Sequence, residues 1–123
     1  MLVGVSTNGT SILLVQLGDA GGIETTGYTG AGTTVGGAGG GQTIGFGLMG
    51  SVSASDVHSG RVVLDLEDSS DFTWTCAAQL TNGTSSMLGT GSKALSAALD
   101  RVRITTVNGT DAFDAGVINI SYE

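Results

Sequence analysis

The chain has 123 residues, 12% of them charged, with 22 glycines and no proline. Eleven acidic against four basic side chains give a formal net charge of −7, which argues against nucleic acid or an anionic membrane surface as a partner, since both are gripped through Lys and Arg. A single cysteine, Cys76, and a single histidine, His58, exclude an intrachain disulfide framework, a multi-cysteine zinc site and a histidine-rich metal site.

The length fits one domain spanning residues 1–123. Mean hydropathy is +0.28 despite the low charge, more apolar surface than a small interior readily absorbs, which points to subunit contacts. "MLVGVSTNGT" lacks the basic n-region and long apolar run of a signal peptide. No run approaches the roughly 20 apolar residues of a membrane-spanning helix.

In chain order, "SILLVQLG" (11–18) is an apolar run of strand length. Residues 30–50 then hold ten glycines. Such a tract is costly to order alone, so it reads as a loop or as a segment held by another surface, including that of another subunit. In "RVVLDLED" (61–68), Val62, Leu64 and Leu66 share one strand face, with Arg61, Val63, Asp65 and Glu67 on the other. "EDSSD" (67–71) reads as a hairpin loop. "DFTWTCAAQL" (71–80) is the clearest strand, with Phe72, Trp74, Cys76, Ala78 and Leu80 inward. "SKALSAALDRV" (92–102) sets Leu95, Ala98, Leu99 and Val102 at helical spacing, but its short length and the β-branched run after it favour extended structure. "DRVRITTV" (100–107) and "VINISY" (117–122) close the chain as strands, the second aligning Ile118, Ile120 and Tyr122. Short strands punctuated by turn residues predict an all-β, antiparallel β-sandwich of jelly-roll-like type.

Several motifs invite a chemical reading. "GFGLMG" matches the dinucleotide fingerprint at Gly45, Gly47 and Gly50, but the "SVSASDV" that follows is no helix, so no pyrophosphate site forms. "SASDVHSG" (53–60) brings Asp56 and His58 to one strand face, yet a catalytic triad draws its members from separate segments. Asp65, Glu67, Asp68 and Asp71, with Asp111 and Asp114, are acids that two loops could pool for calcium, though none of these runs has the calcium-loop spacing. Their default is solvated hairpin acids. "NGT" at Asn8, Asn82 and Asn108, and "NIS" at Asn119, match glycosylation acceptors, while Asn-Gly is also the strongest two-residue hairpin signal. The turn reading is favoured.

"SKALSAALDRVRITTVNGTDAFDAGVINISYE" resembles the C-terminal end of bacteriophage virion structural proteins, notably tail fibres. "LLVQLGDAGGIETTGYTG" (13–30) and "HSGRVVLDLEDSSDFTWTCAAQL" (58–80) are similar to the same group, so the resemblance spans most of the chain. It implies a non-enzymatic β-rich module on the virion surface, often trimeric, that caps a fibre or tip and contacts the host surface, including its glycans. It also implies contact with other virion proteins, and it carries over no catalytic residue or cofactor. In that group the segment usually ends a longer chain; here no virion anchor or coiled-coil shaft is visible, which leaves a stand-alone decoration or tip protein, or an excised domain. A capsid decoration protein is the alternative within the virion. A carbohydrate-binding module is another, although aromatics are 5% of the chain and Trp74 faces inward. A glycan depolymerase has only Asp65 and Glu67 to offer.

Arg101 and Arg103 lie on one face of "DRVRITTV", close to Asp100. The "NGTD" turn is expected to bring Asp111 or Asp114 near, so cross-strand ion pairs are the simplest role for the arginines. Pairing with acids of a neighbouring subunit is the other.

Overall fold

A computed structural model describes residues 1–123 throughout. It contains strands β1 (Leu2–Thr7), β2 (Leu13–Asp19), β3 (Gly22–Ile23), β4 (Thr29–Thr34), β5 (Gly39–Gln42), β6 (Phe46–Gly47), β7 (His58–Asp68), β8 (Thr73–Thr81), β9 (Ser86–Ala94), β10 (Arg101–Thr106) and β11 (Phe113–Ile118), and no helix. A seven-stranded sheet runs β11-β1-β7-β8-β9-β4-β5, and a four-stranded sheet runs β10-β2-β3 with β6 also on β2. The pairings are antiparallel. This is the antiparallel sandwich expected from the patterning, more lopsided than the eight-stranded double Greek key of a jelly roll.

The core lies between the sheets. Leu13, Val15 and Leu17 of β2 meet Cys76, Ala78 and Leu80 of β8, with Phe46, Leu48 and Met87 beside them. Every residue of β2 is buried, which explains why its sequence reads as a continuous apolar run rather than an alternation. β8 alternates as expected, with Cys76, Ala78 and Leu80 buried and Ala77 and Gln79 exposed. Phe46 and Tyr28 pack edge to face, centroids 5.0 Å apart. The β7–β8 connection is a tight turn over residues 69–72, so Glu67 and Asp68, expected in the loop, end β7 instead: Asp68 accepts from the Ser70 N–H at 2.7 Å and Asp71 from the Thr73 N–H at 3.0 Å. The extended structure expected over 92–102 holds only at its ends, in β9 to Ala94 and β10 from Arg101; residues 95–100 between them are irregular and not helical. They carry the chain from β9 in one sheet to β10 in the other and bury Leu95 on the way.

The glycine tract differs from its expectation as a loop. Residues 30–50 hold most of β4 and all of β5 and β6, set against the chain's own strands. Gly30 faces Gly91 and Gly32 faces Gly89 across β4 and β9. A Cβ on Gly91 would lie 2.7 Å from the Phe46 ring and from the Thr29 carbonyl oxygen. The missing side chains let β6 lie directly on the large sheet, so close contact and ladder pairing order a tract that propensity disfavours.

The closing stretch differs too. β10 pairs with β2 in the small sheet and β11 with β1 in the large one, so the two are not a hairpin with each other. The strand expected over 117–122 instead covers Phe113–Ile118. The β1 ladder starts at the Leu2–Ile118 pair, and residues beyond Ile118 outrun it. The three Asn-Gly sites all fall at turns or bends. Their asparagines act as acceptors rather than through positive φ: Asn82 Oδ1 takes the Ser85 N–H at 2.9 Å, Asn108 Oδ1 the Thr110 N–H at 3.0 Å, and Asn8 Oδ1 the Ala112 N–H at 2.9 Å.

Candidate functional site: an apolar groove at the open side of the sandwich

The small sheet is too narrow to cover the large one. β6 sits over β4 and β9, which places β10 at the other margin, and nothing pairs with the outer edge of β10. Beside that edge lies a groove of about 870 Å³. Val62, Leu64 and Leu66 of β7 and Trp74 of β8 form its floor, Val102 and Ile104 of β10 one wall, and Met1 with residues 118–123 the other. The even positions of "RVVLDLED" share a face as the alternation requires, yet that face is only partly roofed: Leu66 is 47% exposed and Val102 40%. The Trp74 indole N–H is buried there without an acceptor. Arg61, Asp65 and Glu123 border the groove as well; Arg61 and Asp65 stand on the opposite face of β7 from Val62, Leu64 and Leu66, and none of the three is ion-paired.

Next to the groove runs an unprotected rim. All six residues of β11 are exposed, and after it Ile120 and Tyr122 are 74% and 96% exposed. The Asn119 N–H donates to the Met1 carbonyl oxygen at 2.8 Å, which fixes where the tail leaves the sheet. Edge strands are usually blunted by charge, proline or a covering element. Here the edge carries Phe113, Val117 and Ile118, all more than a third exposed.

The residues picked out from the sequence are scattered relative to this groove. Arg101 and Arg103 do share the face turned away from the groove-lining Val102 and Ile104. Their expected intrachain ion pairs with Asp111 or Asp114 do not form. Arg101 pairs with its neighbour Asp100 at 2.7 Å, while Arg103 donates to Gln16 Oε1 through Nε at 2.8 Å. Gln16 in turn donates to the Ile44 carbonyl oxygen, so Arg103 closes a polar seam over the outer face of β2. Asp111 accepts the Ser11 N–H at 2.9 Å and the Asn108 amide at 2.6 Å, which hold its carboxyl below the usual range. Asp114 accepts from the Ser6 hydroxyl. Asp114 therefore ties β11 to β1, and Asp111 ties the turn before β11 to the β1–β2 connection, rather than either acid to the arginines. The geometric reason is that β10 and β11 belong to different sheets.

Asp65, Glu67, Asp68 and Asp71 do not converge with Asp111 and Asp114, and no group of three or more His, Cys, Asp or Glu side chains is placed to hold a metal ion. Asp56 caps its own turn by accepting the Ser53 N–H at 2.9 Å. His58 is 2% exposed on β7 opposite Val5, and both ring nitrogens lack a hydrogen-bond partner. Burial pushes its pKa below the usual imidazole range, against the opposing pull of the Val5 backbone and the Asp56 charge. "GFGLMG" supplies core: Phe46, Leu48 and Met49 are buried, and no helix follows.

Sequence reading missed one polar cluster entirely. Lys93 on β9 is buried and ion-paired with Glu24, and its ammonium lies 5.5 Å from the Tyr28 ring centroid. Glu24 Oε1 accepts the Ser96 N–H at 2.8 Å, and the Ser96 hydroxyl reaches Asp19 Oδ2 at 2.6 Å. The Tyr28 hydroxyl accepts the Leu17 N–H at 2.7 Å. Burial alone raises the Glu24 pKa, but the Lys93 and Ser96 bonds outweigh it and hold the carboxyl low. The cluster joins β2, the segment after β3 and the end of β9. It was hidden because β9 carries glycines where an alternation would show apolar side chains; its inward positions are Met87, Gly89, Gly91 and Lys93.

No family model, curated protein or solved structure matches this chain. The groove and its rim therefore stand on their own geometry.

Proposed function

We propose that the chain is a non-enzymatic structural protein of a bacteriophage virion, a tail-fibre or tip module that works by assembly and contact with the host surface. One observation carries the assembly part of this reading: the half-roofed apolar groove beside an exposed edge strand bearing Phe113, Val117 and Ile118, a surface suited to protein contacts. The phage assignment is supported by the resemblance of residues 13–30, 58–80 and the closing stretch. A net charge of −7 also suits a module displayed in contact with water rather than one packed on nucleic acid. Capsid decoration is the second reading, favoured by the same surface, because a shell protein also binds between neighbours.

The test is imaging of native particles carrying a label on this protein. Label confined to the tail is expected. Label spread over the head moves the assignment to decoration, and particles without label overturn both.

A further inference from the structure

We infer that the groove is filled by the tail of a second copy of this chain, whose residues 118–122 add as a strand to the open edge of β10. The inference rests on the assembly reading above in placing the function in subunit contact, and it makes that contact specific. Two independent features converge on this occupant.

The first is an open position in the small sheet. β10 pairs on one side with β2 and on the other with nothing, and the next strand position lies over the floor made by Val62, Leu64 and Trp74. A strand placed there would both satisfy the backbone edge and roof the apolar face. The second is a segment of matching length and pattern. Ile118, Ile120 and Tyr122 alternate with Asn119 and Ser121, and five residues extend about 17 Å, against about 20 Å for the six of β10. In its own chain this segment is tied at Asn119 to Met1, on the wall opposite β10, with Ile120 and Tyr122 turned to solvent. Reciprocal exchange covers the groove of each copy at the same time and closes the assembly.

The test compares the solution mass of the wild-type chain with that of Ile120→Asp/Tyr122→Asp by sedimentation at concentrations up to about 100 µM, the range in which moderate interfaces associate. Both substituted side chains are solvent-exposed in the single chain, so the melting temperature of the variant's monomer is expected to be unchanged. The wild type is expected to be a closed oligomer, and the variant's dissociation constant at least about tenfold higher, equivalent to losing about 1.4 kcal/mol. A second measurement mixes a Val102→Cys chain with a Tyr122→Cys chain under oxidising conditions. The buried Cys76 leaves the new thiols as the reactive ones, and a covalent pair containing one of each is expected. A monomeric wild type, an oligomer unaffected by the double substitution, or absence of the mixed pair overturns the exchange. Any of these leaves the virion reading to the imaging experiment, and unlabelled particles would leave the exchange standing.

Discussion

Replacing Glu24 by alanine tests whether the buried cluster on β9 holds the sandwich together. The substitution removes the only carboxylate paired with Lys93 and the acceptor of the Ser96 N–H. Lys93, 6% exposed, keeps the Ala94 carbonyl oxygen at 2.6 Å and the Tyr28 ring, but its charge is left without a counterion. Stripping one partner from a buried pair costs about 3–5 kcal/mol. Glu24 retains 22% exposure, so water reaches the site and the lower end, about 3 kcal/mol, applies. At about 2.1 cal/mol/K per residue, a chain of 123 residues unfolds with about 0.26 kcal/mol/K of entropy, so the melting temperature should fall by about 12 °C. Urea denaturation and calorimetry measure both. Lys93→Met in the Glu24→Ala background should recover much of the loss, because it removes the orphaned charge and keeps an apolar stem. The pair also sets an acid limit. The Glu24 carboxyl is held below its ordinary pKa, so its contribution is present above about pH 4.5 and is lost as pH falls through the folded value. A loss under about 1 kcal/mol for Glu24→Ala, or a double variant no better than the single, would refute the reasoning.

Other outcomes follow from the same geometry. Gly91→Ala places a methyl 2.7 Å from the Phe46 ring and the Thr29 carbonyl oxygen, and should cost about 1–3 kcal/mol by urea denaturation, although the backbone there needs no positive φ. His58 is buried with its pKa lowered, so the unfolded chain takes up the proton first; stability should decline as pH falls below about 6.5 and continue to the lower folded value, and His58→Leu should flatten that slope. Burial pushes the Cys76 thiol up to about 12, so thiol reagents at pH 8 should label it only at the rate of unfolding. Arg103→Ala removes the donor to Gln16 and should cost about 1–2 kcal/mol without altering oligomeric state, since its side chain lies on the face away from the groove.

The parts of the fold that were legible are those where side chains report their environment. β7 and β8 alternate because one face meets the core, and Asp68 and Asp71 hold the tight turn between them, which begins two residues later than the expected loop. β2 was found as an apolar run because both its faces are covered. The unreadable parts are the strands in which glycine replaces the inward side chain. β4 and β9 carry glycines at the contacts where backbone meets backbone, so the period-2 signal disappears where the packing is tightest, and the glycines of β5 leave an exposed strand with no side chains to alternate. β1 escaped for a related reason: Gly4, at φ +63, interrupts its ladder and shifts the register against both neighbours.

The arginine pair shows how a correct face assignment can lead to the wrong partner. Arg101 and Arg103 do lie opposite the groove-lining Val102 and Ile104, and "NGTD" does make a turn. Adjacent strands joined by a short turn usually pair with each other, and that assumption carried Asp111 and Asp114 to the arginines. The chain instead uses the turn to cross between sheets, with Asn108 Oδ1 satisfying the Thr110 and Asp111 N–H groups so that the crossing needs no ladder. Asp111 and Asp114 are thereby committed to Ser11 and Ser6, and Arg103 to Gln16. The same crossing leaves the outer edge of β10 unpaired, because the strand that a hairpin would have laid there runs in the large sheet beside β1. The departure from the hairpin and the open groove are thus one structural event, which makes the missing strand position a consequence of how residues 107–112 route the chain.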